Sequence, residues 1–98
     1  MQAGTGAEIT VELLGQARLL GGAAHIRLQL AGPATLRSVV AALAERSPAL
    51  VGPVLNLAQL ALADGHIFNL NGRDFLRSPD APLRSGDRLL LLSSASGG

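Results

Sequence analysis

The chain has no cysteine, no lysine, no tryptophan and no tyrosine. Without cysteine it holds no disulfide, no thiolate metal site and no thiol nucleophile. Without lysine it presents no ε-amine to be acylated, a feature equally expected of a genome rich in Arg and Ala codons. Phe68 and Phe75 are the only aromatic residues, so the core has to be aliphatic. An excess of charge of one sign is missing as well. Eight arginines face seven acidic residues for a formal net charge of +1, and no basic run or aromatic ladder tracks a phosphate backbone. Nucleic acid is therefore excluded as an expected partner. Long hydrophobic runs are also lacking. Residues 47–63 carry no charge, but Pro48, Gly52, Pro53, Asn56 and Gln59 interrupt them. They fall short of the roughly 20 apolar residues that a membrane span requires. Residues 1–7 contain no basic residue and no apolar stretch, so no secretory signal is read there. A cytoplasmic protein with no membrane partner is expected.

What is present is a chain of 98 residues, 48% of them hydrophobic. That length suits one domain with a modest core and little room for a separate substrate cleft. Residues 1–7, with Gly4, Thr5 and Gly6, are expected to form a flexible lead, residues 8–92 the folded domain, and residues 93–98 a flexible tail ending in Gly97 and Gly98.

Ile9, Val11 and Leu13 alternate with Thr10 and Glu12, the two-residue period of a half-buried strand. After Gly15, residues 16–20 read as a short turn or a single helical turn. Ile26, Leu28 and Leu30 then alternate with His25, Arg27 and Gln29 as a second strand, closed by Gly32 and Pro33. Thr35 is placed to cap a helix whose apolar face is Leu36, Val39, Val40 and Leu43, and which stops before Pro48. Residues 50–63 are ambiguous between a short helix and a covering loop. Residues 67–70 read as a strand, Asn71 and Gly72 as a two-residue hairpin turn, residues 73–76 as the return strand, and residues 88–92 as the last strand. One helix among four or five strands implies an α+β fold: a β-grasp, ubiquitin-like architecture, with a mixed four- to five-stranded sheet and the main helix packed on one face.

Several motifs then carry a family likeness. Residues 9–13 running into Gln16, Ala17, Arg18 and Gly21 resemble the opening of the small subunit of molybdopterin synthase. Asn69, Leu70, Asn71 and Gly72, then Pro82, Leu83, Arg84, Ser85, Gly86 and Asp87, and finally Ser96, Gly97 and Gly98, are similar to the second half of that family and of its thiamine-pathway relatives. The resemblance runs over nearly the whole chain, from residue 9 to residue 98. It implies a ubiquitin-like sulfur carrier with no intrinsic catalytic site and no bound cofactor. An E1-like adenylating enzyme would use ATP to adenylate the Gly98 carboxylate. A sulfur donor protein would then replace AMP with sulfur, and the thiocarboxylate would pass that sulfur on. Gly97 would be the spacer, since glycines lack a side chain and thread a narrow channel. Residues 93–98 would reach about 20 Å at roughly 3.3–3.6 Å per residue.

The loop of Gln16 and Arg18 points to the molybdopterin branch, with the synthase large subunit as partner. The alternatives are a carrier for thiamine, tRNA thiolation or cysteine synthesis, and a β-grasp interaction or protein-modifier domain that carries no sulfur. Ser93, Ser94, Ala95 and Ser96 stand where family members often carry prolines and an apolar residue.

Other features carry less. His25 and His66 read as solvent-facing histidines with no acidic cluster at ligand spacing. Gly4, Thr5 and Gly6 are not a phosphate loop, because no Gly-Lys-Ser/Thr follows. Asn71 and Gly72 read as a turn alone. Leu89, Leu90, Leu91 and Leu92 cannot all face one helix, since successive strand residues point to opposite faces. One pair is expected either under a loop, with residues 50–63 as candidate, or at a partner interface. The expected partner-binding set is Phe68, Leu70, Leu89, Leu90, Leu91 and Leu92, with Arg73 and Arg88 on the rim.

Overall fold

The computed structural model describes residues 6–94. Strand β1 (Ala7–Leu13) buries Ala7, Ile9, Val11 and Leu13, the apolar half of its alternating pattern. It is followed by a short helix, α1 (Gln16–Gly21), whose Ala17 is buried. Strand β2 (His25–Leu30) buries Ile26, Leu28 and Leu30 and pairs antiparallel with β1. Strand β3 (Ala34–Thr35) leads into α2 (Leu36–Arg46).

The start of α2 is held by a capping box. Thr35 Oγ1 accepts the Ser38 backbone N–H at 3.3 Å, and Ser38 Oγ accepts the Thr35 N–H at 2.8 Å. Two of the amide hydrogens left unpaired at a helix N-terminus are thereby satisfied. Leu36, Val39, Val40 and Leu43 are the buried face, as the spacing predicts. The helix ends with the Ser47 N–H donating to the Leu43 carbonyl at 2.7 Å, immediately before Pro48.

Residues 48–62 are neither an α-helix nor a cover over the sheet's other side. They form a single 3-10 turn (Pro48–Leu50) and a minimal hairpin of β4 (Leu55–Asn56) and β5 (Ala61–Leu62). Leu50, Val54 and Leu55 are fully buried in the same core as α2. The rest of the chain is β6 (His66–Leu70), β7 (Asp74–Leu76), β8 (Pro82–Leu83) and β9 (Arg88–Ser93). Thus Ser93 closes the last strand rather than opening the tail. The main sheet has five strands in the order β2-β1-β9-β6-β7, with β3 and β8 pairing separately. The first and last of its strands, β1 and β9, lie side by side and parallel at the centre. Among the described residues no helix is long and apolar enough to cross a membrane.

Asn71 and Gly72 turn β6 into β7 with φ of 56° and 74°, both in the left-handed region, and the Arg73 N–H donates to the Leu70 carbonyl at 2.9 Å. Asn71 is more than a turn residue. Its Oδ1 accepts the Arg88 backbone N–H at 2.8 Å, and its Nδ2 donates to Asp87 Oδ1 at 3.2 Å. The other Asp87 oxygen accepts the Arg84 N–H at 2.8 Å. One side chain thus ties the β6–β7 hairpin to the turn that launches β9. Replacing Asn71 with Ala removes both bonds and leaves the left-handed position to a residue without the short polar side chain that eases it, an expected loss of about 2–3 kcal/mol. Asn71→Gly keeps the geometry and loses only the bonds, so its urea midpoint should fall between those of Asn71→Ala and the parent.

Candidate functional site

The register of β9 decides where its four leucines point. Leu89 pairs with Val11 and Leu70, and Leu91 with Leu13 and Phe68. Both are fully buried against the helix side. Phe68 shares that core, and Leu70 packs against it half-buried. Leu89, Leu91, Phe68 and Leu70 are therefore core residues, which corrects their expected place in a partner interface. A uniform leucine run carries no alternation of its own, and only the pairing with β1 and β6 sets its phase.

Leu90 and Leu92 face the other way. Leu90 is in register with Glu12 on β1 and Asn69 on β6, and Leu92 with Ile67. Asn69 in turn faces Phe75 on the edge strand β7, and Phe75 is 61% exposed. Residues 48–62, α1 and α2 all contribute to the single core on the helix side. The opposite face, which no other described element covers, is apolar at one end, with buried Ile67, half-buried Leu90 and Leu92 and exposed Phe75, and charged at the other. There Arg88 pairs with Glu12 at 3.0 Å, His25 lies 3.9 Å from the same carboxylate oxygen, and Arg27 and Gln29 line β2. Arg73 and Arg88 are both exposed. Phe75, which the alternation of a three-residue strand could not place, joins this face.

The described chain ends beside it. Ser94 follows β9, and its N–H donates to the Gly65 carbonyl at 2.8 Å. Gly97 and Gly98 lie outside the described residues. On the helix side is a cleft of about 370 Å³, walled by Leu36, Val40, Leu62 and Phe68, with His66 and Ser94 also in its lining. Neither ring nitrogen of His66 has a hydrogen-bond partner or access to water, which corrects the expectation that this histidine faces solvent. Among the described residues no group of three or more His, Cys, Asp or Glu is placed to hold a metal ion.

The model of the ThiS family matches residues 11–98. This chain belongs to the ThiS family. Members of the ThiS family are ubiquitin-like sulfur carriers that work with E1-like adenylating enzymes. No curated protein matches the chain in sequence. Among solved structures, SAMP1 of Haloferax volcanii is 25% identical, with a TM-score of 0.79 over 94% of this chain and 100% of that one. The small archaeal modifier protein 1 of Methanosarcina acetivorans is 22% identical, with a TM-score of 0.76 over 97% of this chain and 100% of its own. A putative molybdopterin converting factor, subunit 1, of Pyrococcus furiosus is 20% identical, with a TM-score of 0.68 over 91% and 99% of the two chains. The ThiS-family chain therefore has the β-grasp fold expected from its sequence. It is a ubiquitin-like carrier of the sulfur-carrier or modifier kind.

Proposed function

We propose that this chain is the small, sulfur-carrying subunit of molybdopterin synthase, acting in the cytoplasm through the carboxylate of Gly98. The observation that carries this reading is the family match continuing through Gly97 and Gly98, directly beyond a central strand with an open apolar face. A carboxylate is a poor electrophile until a good leaving group is attached. The adenylating enzyme supplies one: a carboxylate oxygen attacks the α-phosphorus of ATP, pyrophosphate leaves, and the acyl-adenylate forms. The outer sulfur of a donor-protein persulfide then attacks the acyl carbon and AMP departs. A second thiol cleaves the resulting S–S bond, leaving the thiocarboxylate on Gly98 and a disulfide on the donor side. The chain itself needs no cofactor for this. Its contribution is a terminal carboxylate on a segment with no charged side chain, and a docking face on Leu90, Leu92 and Phe75, rimmed by Arg73 and Arg88.

A second reading is favoured by the likeness to SAMP1, whose name describes a modifier protein. Both readings use the same activated carboxylate and differ in what receives it. The test is to incubate the thiocarboxylated chain with the synthase large subunit and its pterin acceptor, and separately with the activating enzyme and a cell extract. Under the proposed reading the first mixture returns the chain to its carboxylate mass. Covalent adducts on lysines in the second mixture, with no sulfur transfer in the first, would establish the modifier reading instead.

A further inference from the structure

The open face holds one group that its apolar surroundings do not explain. Asn69 stands in β6 between Phe68 and Leu70, turned away from the core, in register with Leu90 on one side and Phe75 on the other. It is only 9% exposed, and its Oδ1 has no hydrogen-bond partner. A buried, unpaired amide oxygen is destabilising, and an apolar side chain of similar shape would remove the penalty. Since its neighbours on this face, Leu90 and Ile67, are apolar, folding stability gives no reason for an amide here.

We propose that Asn69 Oδ1 is the acceptor for a neutral N–H or O–H donor that the adenylating enzyme inserts between Leu90 and Phe75. This inference rests on the proposed function, which supplies the partner. Four residues of chain span at most about 14 Å. An enzyme that holds Gly98 is therefore held close to the end of β9, where Leu92 is, with Leu90 one step further along the same face. Phe75 is the wall that yields, because its ring is largely in water on a three-residue edge strand. The donor is neutral because the position lies between apolar Leu90 and Phe75, where a charged group would give up its hydration with no countercharge in register. The amide of Asn or Gln, the hydroxyl of Ser or Thr, or an indole N–H fits. The device selects partners: a purely apolar surface would leave the oxygen buried and unpaired, while a surface with one donor satisfies it.

The experiment pairs Asn69→Leu with Asn69→Thr, which keeps an acceptor oxygen, and measures both the thermal midpoint and the Kd for the cognate adenylating enzyme by calorimetry. The expected result is that Asn69→Leu melts at or above the parent while binding roughly 10- to 100-fold more weakly, the loss of one buried hydrogen bond and the stranding of its donor. Asn69→Thr should recover part of that affinity. An Asn69→Leu chain that binds like the parent, or an Asn69→Thr chain as weak as Asn69→Leu, overturns the inference. So does an Asn69→Leu chain that unfolds, since Asn69 would then be structural. If the parent itself fails to bind the enzyme, the functional reading falls and this inference falls with it.

Discussion

Incubated with its adenylating enzyme, ATP and a sulfur donor, the parent chain should gain the mass difference between sulfur and oxygen, and a chain lacking Gly98 should gain nothing. The loss is expected to be complete, because deletion leaves Gly97 one residue short of the reacting position. Near-attack geometry tolerates little misplacement, and an error of about 1 Å already costs on the order of 100-fold. One residue added after Gly98 should abolish the gain equally, by moving the carboxylate past the nucleotide. Neither change should shift the thermal midpoint, since every described strand and helix lies between Ala7 and Ser93. The readouts are intact-protein mass spectrometry and a circular dichroism melt on the same samples. Normal thiocarboxylate formation on the deletion variant would refute the role of Gly98.

The second large effect separates two adjacent leucines. Leu89→Asp places a carboxylate where the side chain is fully buried between Val11 and Leu70. Lost packing and an unpaired buried charge together cost roughly 5 kcal/mol or more, against a typical total stability of about 5–15 kcal/mol. That variant should be largely unfolded. Leu90→Asp points the same charge to the half-buried open face, so the fold should persist. Its penalty appears in binding, where a charge meets an apolar partner surface at a cost of about 2–4 kcal/mol. Melts combined with pull-down by the adenylating enzyme or the synthase large subunit read both variants. Full binding by a folded Leu90→Asp chain would move the docking surface elsewhere.

The elements with a clean period were legible in the sequence. Alternation placed β1 and β2, helical spacing placed α2 with its buried face, and Thr35 marked its start. Asn71 and Gly72 marked the hairpin. What was not legible depended on residues far apart in the chain. The clamp from Asn71 to Asp87 and Arg88 spans 16 and 17 positions, so no local window reveals it. Residues 48–62 are apolar because Leu50, Val54 and Leu55 plug the core beside α2, and two-residue strands are too short to show a period. The orphaned His66 and Asn69 look like ordinary strand residues until the neighbours on either side are known. Gly97 and Gly98 were singled out through family resemblance, and the described residues stop before them.

The parallel pairing of β1 with β9 also governs when the domain comes into being. Without β9, β1 and β2 form a hairpin separated from β6 and β7, with no strand to join them. The two apolar half-sheets therefore stay unjoined until residues 88–93 are available to pair with both. Pairing of such sequence-distant strands is slow to form, because the loop must close before any contact rewards it. Synthesis that stops early leaves a molecule unable to complete its sheet and open to proteolysis. Any copy that survives as a folded domain has been translated through β9, so folding itself screens out chains that lack the strand leading to the carrier end.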